Sequence, residues 1–237
     1  MTLYTHSDET FVLSAHSSII QKTFENLKRT AQKRPVLIAI SGESASGKTT
    51  FLNTLKRILK NSVFIDADNY FIDLSEQIKM HGSFYNLLKS GFESDAPSSF
   101  MLETLYDDLA KLRSNREVYI PRYQMNGGYS IPKDTKVSPA PFIFTCGICT
   151  LYKPVVDLFD FKIYLQADKE LQYKRYLSRA SERGQTETQA AHQFKYISDM
   201  AQKYIIPTKQ EADIVVKGRL PNHTLKRLFI DTIRQMG

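Results

Sequence analysis

Val36-Leu-Ile-Ala-Ile40, followed at once by Ser41-Gly42-Glu43-Ser44-Ala45-Ser46-Gly47-Lys48-Thr49-Thr50, decides the fold. Five apolar residues in unbroken succession read as a short strand buried on both faces. The next ten residues satisfy G-x-x-x-x-G-K-[ST], and the stretch 48–60 beyond them has helical periodicity, so the motif sits between a strand and a helix. The chemistry needs each part. Gly42 and Gly47 let backbone N–H groups converge on phosphate oxygens at a helix N-terminus, whose dipole favours anions. Lys48 reaches toward β- and γ-phosphates, and the Thr49 hydroxyl is placed to ligate Mg²⁺. Such a match arises by chance in roughly one chain of this length in a hundred at average composition. The plainer reading, a glycine turn capped by Thr49, is therefore set aside. The candidate nucleotide-binding residues are Gly42, Ser44, Ser46, Gly47, Lys48, Thr49 and Thr50.

Working outward, similar short apolar runs recur at Val63–Ile65, Val118–Ile120, Phe142–Phe144, Phe161–Leu165 and Asp213–Val216. Helical patterns lie between or after them at 98–113, 168–183, 187–205 and 222–235. This alternation predicts an α/β fold: a doubly wound, mostly parallel sheet of the P-loop type with helices on both faces. Such sheets bind ligands at the carboxyl ends of their strands. Residues 1–34 read as an N-terminal extension. It has a polar lead and a helix capped at Ser14 or Ser17, with Ile20, Phe24 and Leu27 at helical spacing. Residues 35–237 form the main domain. Ile72–Pro97 and Pro121–Pro141 show no clean period and are expected to be substrate-covering loops or short hairpins.

The 237 residues carry 32 Lys+Arg against 25 Asp+Glu, a net charge of +7 that favours anionic partners without choosing among them. Two cysteines and five histidines exclude a disulfide scaffold and argue against a zinc cluster. The first residues lack the pattern of a signal peptide, and no apolar run approaches a membrane span. The expected location is the cytoplasm, with no membrane partner. No RRM, KH or helix-turn-helix signature supports a specific nucleic-acid partner.

The loop's version, S-G-x-S-x-S-G-K-T-T, resembles the uridine kinase and phosphoribulokinase group of small-molecule kinases, and further segments follow in the same order. Val63-Phe-Ile-Asp-Ala-Asp68-Asn-Tyr-Phe71 is similar to that family's strand ending in D-S-F-Y. Asp95-Ala-Pro97 is similar to the start of D-H-P-D, and Ile120-Pro121-Arg122-Tyr123 to I-P-x-Y. Cys146-Gly147-Ile148 stands where E-G-I belongs, before a close match to L-F-D-L-K-I at Leu158–Ile163. Glu182-Arg183-Gly184 resembles E-R-G-R, and Pro207-Thr208-Lys209 with Ala212-Asp213-Ile214 resembles P-S-K-x-x-A-D-I.

The resemblance implies a kinase that uses ATP (or GTP) and Mg²⁺ to phosphorylate a hydroxyl of a small molecule, with a pyrimidine nucleoside favoured and homo-oligomers common. Asp68 is then the catalytic aspartate, acting with Lys48 and Arg183. Arg175, Arg179 and Arg183, spaced four apart on one helix face, form a lid. Within it Arg179 faces the nucleotide and Arg175 the substrate. Asp95, Tyr123 and Phe71 would line the acceptor pocket. Thr49, Asp66 and Asp68 would hold the metal, because Cys146 replaces the family's Mg²⁺-site glutamate and a neutral thiol is a poor ligand for a hard cation. Asp66 is the proposed substitute; a strand continuing past it would turn Asp66 and Asp68 to opposite faces. The acceptor side departs further. Gly128 stands at the family's pyrimidine-contacting histidine, Gln124 and Ser98 replace aspartates, and Gln185 replaces an arginine. Pantothenate, ribulose phosphate, glycerate and nicotinamide riboside therefore stay open as acceptors, as does a nucleotide-binding protein without catalysis. The Cys146-Gly-Ile-Cys149 spacing reads as two small buried residues in preference to a redox pair.

Overall fold

The computed structural model describes residues 3–5, 13–182 and 184–217, with side chains from Lys22 onward. Strand β1 (Leu3–Thr5) and helix α1 (Leu13–Ala31) precede β2 (Val36–Gly42), which runs through the glycine loop into α2 (Lys48–Ile58). Then come β3 (Ser62–Asp66), two short helices α3 (Ser75–His81) and α4 (Phe84–Lys89), and α5 (Leu102–Arg113). The chain continues through β4 (Val118–Gln124), β5 (Tyr129–Val137), β6 (Phe142–Cys146) and β7 (Phe161–Gln166). It ends in α6 (Lys169–Glu182), α7 (Glu187–Met200) and β8 (Ile214–Lys217).

Six strands form one sheet in the order β1-β8-β7-β2-β6-β3, each neighbouring pair parallel. All seven residues of β2 are buried. Its alternation divides two cores: Val36, Ile38 and Ile40 pack with Phe24 and Leu27 of α1 and with Phe51, Leu52 and Leu55 of α2. Leu37 and Ala39 face the opposite side, against Leu105, Leu109 and Leu112 of α5. Burying each large aliphatic side chain contributes about 1.5–3 kcal/mol. A strand sealed on both faces has no use for polar alternation, which is why the apolar run is unbroken.

Two elements differ from the sequence-based expectation. Val118–Ile120 does not join the parallel sheet. It opens β4, which pairs antiparallel with β5 in a separate two-stranded ribbon. A three-residue apolar run does not distinguish a central strand from a ribbon with one buried face, and Val118, Ile120 and Pro121 are buried while Tyr119 and Arg122 are exposed. The aperiodic stretch after residue 72 contains α3 and α4, each too short to display a helical period. At the N-terminus, β1 adds an edge strand to the main sheet beside β8, and α1 buries Phe24 and Leu27 in its core. The helix expected over 222–235 lies outside the described residues.

One polar clamp ties α1 to the sheet. Arg34, between α1 and β2, donates twice to Asp160 at 2.9 and 2.6 Å. Asp160 also accepts the Leu37 N–H at 3.0 Å and Arg113 at 3.2 Å. Burial works to raise the Asp160 carboxyl, but these donors and the two guanidinium charges outweigh it and hold it below the usual carboxylate range.

Candidate active site

A cleft of about 730 Å³ opens at the carboxyl end of β2, and the phosphate loop forms one wall. Gly42 takes φ 141°, and a Cβ there would lie 2.1 Å from the Leu165 carbonyl oxygen, so glycine is required for both conformation and space. Gly47, at φ 105°, caps α2. Lys48 folds back over the loop, its Nζ donating to the carbonyls of Gly42 at 2.8 Å and Glu43 at 3.0 Å. Burial draws its pKa below the ordinary value; Asp68 opposes this and Arg179 adds to it. Ser46 Oγ is buried with no hydrogen-bond partner among the described residues, an unmet polar atom that fits an anion seated in the loop. Ser44, Thr49 and Thr50 line the same cleft.

The second wall grows from the end of β3. That strand stops at Asp66, whose carboxylate accepts the Asp68 N–H at 3.1 Å and starts a 3₁₀ turn over Ala67–Tyr70. The turn, not a continuing strand, brings Asp68 to the cleft; Asp66 is not among its lining residues. Burial and then the Asp66 charge push the Asp68 carboxyl up to about 7, with Lys48 opposing. Burial also raises Asp66. Gly147 makes the packing of this turn possible, since a Cβ there would sit 2.7 Å from Ala67 Cβ. Cys146 stands beside Asp66 in the strand register. Its thiol, pushed up to about 12 mainly by burial, stays neutral, and Cys149 is fully buried. Of the three residues expected to hold Mg²⁺, Thr49 and Asp68 line the cleft, whereas the Asp66 carboxylate is engaged with the Asp68 N–H. Among the described residues no cluster of three or more His, Cys, Asp or Glu could hold a metal ion. The donor set suits a cation bound by one or two carboxylates and the phosphates.

Asp95 lines the cleft and is buried; burial raises its carboxyl, and Ser94, donating at 2.9 Å, and the Lys48 charge oppose the shift. Phe71 also lines the cleft. Tyr123 does not: it packs behind Phe71 at 5.3 Å between ring centroids. Gly128, at φ +68°, lies under Ile78, whose Cδ1 would be 2.2 Å from a Cβ at that position. Ile78 thus occupies the space that a side chain at 128 would enter. On α6, Arg175 and Arg179 face the cleft together, and Arg175 donates to the Ala45 carbonyl at 3.3 Å. Lys174 pairs with Glu170 at 2.6 Å on the solvent side. Arg183 lies outside the described residues.

Sequence reasoning missed Phe84 and Leu88 of α4 and Gln193 and Ile197 of α7, all of which line the cleft. Each pair is spaced four apart, one helix face. The signal was readable for α7, whose period is evident, and hidden for α4 within an aperiodic stretch.

A phosphate loop at the end of a central parallel strand, with two arginines of one helix facing the same cleft, defines a P-loop kinase fold. The chain belongs to the phosphoribulokinase/uridine kinase family, whose model matches residues 37–225. Uridine kinase of Borrelia duttonii (strain Ly) is 31% identical over 197 residues, spanning 82% of this chain and 91% of that protein. Uridine kinase-like protein 5 of Arabidopsis thaliana is 30% identical over 207 residues and 85% of this chain, which spans only 43% of that longer relative. Among solved structures, phosphoribulokinase from Rhodobacter spheroides shares the fold with a TM-score of 0.57 at 16% identity, covering 78% of this chain and 70% of that one. No helix among the described residues is long and apolar enough to cross a membrane.

Proposed function

We propose that this protein transfers the γ-phosphoryl group of ATP to a hydroxyl of an uncharged small molecule, with the 5′-hydroxyl of uridine or cytidine as the first acceptor. The observation that carries the proposal is one cleft lined at once by Lys48, Thr49, Asp68, Asp95, Arg175 and Arg179. The cations lining it stand on the phosphate loop and α6, and Asp68 and Asp95 are the acidic residues among its described lining. Lys48 acts on both carboxylates, which are placed to accept hydrogen bonds from the hydroxyls of a neutral acceptor such as a nucleoside.

In the reaction, the acceptor oxygen bonds to the γ-phosphorus, the bond from that phosphorus to the β,γ-bridging oxygen breaks, and ADP leaves. The hydroxyl proton passes to the Asp68 carboxylate. Lys48, Arg175 and Arg179 take up charge on the transferring group, and Asp95 accepts hydrogen bonds from acceptor hydroxyls. Thr49, Asp66 and Asp68 would hold Mg²⁺, which when bound neutralises phosphate charge. Apolar walls from Phe71, Phe84, Leu88 and Ile197 exclude water that would otherwise hydrolyse ATP.

ADP formation with Mg²⁺ and ATP, compared among uridine, cytidine, glycerate, pantothenate and ribulose phosphate, tests this reading. Turnover with a nucleoside supports it; turnover confined to the anionic acceptors overturns the choice of a nucleoside. Cys146 motivates one alternative, a nucleotide-binding protein without catalysis. Under that reading ATP binds, no acceptor is phosphorylated, and Cys146→Glu creates turnover.

A further inference from the structure

Helices α6 and α7 build a small apolar cluster of their own, separate from the two faces of the sheet. Phe194 of α7 packs on Tyr173 and Tyr176 of α6 at ring-centroid distances of 5.1 and 5.6 Å. Ala45 of the phosphate loop completes the cluster. The two helices pack as one unit, and both of them line the cleft. At the phosphate end, Arg175 bonds to the Ala45 carbonyl at 3.3 Å. Beside Asp95, the inner contact is Tyr196. The Tyr196 hydroxyl donates to the Phe92 carbonyl and accepts the Ser94 N–H at 3.2 Å, bridging the backbone on either side of Glu93.

What it grips leads directly to the cleft. Ser94 bonds through its hydroxyl to Asp95 Oδ1, and on the helix itself Tyr196 lies between Gln193 and Ile197, which line the cleft. A second tie runs outside the first. The π turn Ala201–Ile205, continuing α7, places the adjacent Lys203 and Tyr204 on the two oxygens of Glu93, each at 2.5 Å. Lys203 and Glu93 are solvent-exposed, and ion pairs in water contribute little. Tyr196 is half-buried, and its hydroxyl makes both bonds to backbone.

We propose that Tyr196 is a positioning residue that couples the acceptor loop Phe92–Asp95 to the α6–α7 lid, an inference that rests on the phosphoryl-transfer reading above. An acceptor held at Asp95 and the arginines placed over the phosphates then form one arrangement. Tyr196→Phe removes both hydrogen bonds and keeps the ring. The lid then closes without reference to the acceptor, and the transferring group is left open to water.

Amide hydrogen exchange on the full chain without ligand reads this link. Tyr196→Phe speeds exchange by about tenfold in peptides covering 92–96 and also in those covering 187–200, while β2 keeps its protection. In turnover the same variant raises the acceptor KM about tenfold, leaves the ATP KM within about twofold, and hydrolyses more ATP per acceptor phosphorylated. Glu93→Ala, which cuts only the outer tie, moves the same readouts in the same direction by about twofold and serves if Tyr196→Phe folds poorly. Unchanged exchange in either segment, or equal shifts in both KM values, overturns the coupling. Absence of acceptor-dependent ADP formation in the parent protein overturns the phosphoryl-transfer reading instead, and the exchange result still decides the role of Tyr196.

Discussion

Asp68 shows how much of the site hangs on single residues. The strand before it ends because Asp66 turns back to cap the next turn, and that turn delivers Asp68 to a place where burial and Asp66 both favour its protonated form. Asp68→Asn keeps the shape and removes the base, so kcat is expected to fall by about 10²–10⁴ while ATP binding persists, as titration with a fluorescent ATP analogue would show. Gly128 supplies a second prediction at this scale. Its positive φ and the Ile78 methyl group above it both oppose a side chain. Gly128→Ala should lower stability by about 1–2 kcal/mol in urea unfolding. Ile78→Ala should cost as much stability in that variant as in the parent if the glycine conformation dominates, and less if the clash dominates. That the glycine loop, Asp68, Arg175 and Arg179 line one cleft was legible in the sequence by three routes: the loop by its motif, Asp68 by the family resemblance, and the arginines by that resemblance and their four-residue spacing. Tyr123 was placed one layer too close to the cleft: a motif position does not reveal that the Phe71 ring lies in front of it.

The legibility of the elements followed the length of their patterns. Strand β2 and helix α2 were plain because seven buried residues and eleven helical ones leave little room for another reading. The β4–β5 ribbon was not, since its first residues look like a central strand until the antiparallel partner is known. The junction between α1 and β2 depends on a side-chain clamp that no local pattern announces. Arg34 and Asp160 are 126 positions apart. Asp160→Asn leaves two part-buried guanidinium groups with a neutral partner and should lower stability by about 1–3 kcal/mol at pH 7. Because the folded Asp160 carboxyl lies below its unfolded value, its contribution is present above that unfolded value and is lost as pH falls through the folded one. The gap between variant and parent in thermal unfolding should thus begin to close below about pH 4. A gap that widened with acid would contradict this assignment.

At the scale of the whole molecule, the parallel sheet gathers its loops at one end, and α6 and α7 line the cleft there. The phosphate loop, Asp68, Asp95 and the arginines Arg175 and Arg179 come to one cleft from the end of β2, the turn after β3, the loop after α4, and α6, segments far apart in the chain. Apart from β4–β5, α3 and α4, the succession of strands and helices was readable from alternation, and so was the end of the sheet expected to bind. The joining of the lid to the acceptor loop was not, because it depends on one tyrosine hydroxyl meeting backbone 102 positions away. The most direct test of the central claim, that this one cleft moves a phosphoryl group onto a small hydroxyl compound, is mass spectrometry of products. The protein would be incubated with Mg²⁺, ATP and a mixture of nucleosides and other small alcohols, beside Lys48→Ala as control. A new nucleoside monophosphate, absent with Lys48→Ala, is the predicted result. ATP bound at the loop with no phosphorylated acceptor in either sample would contradict it.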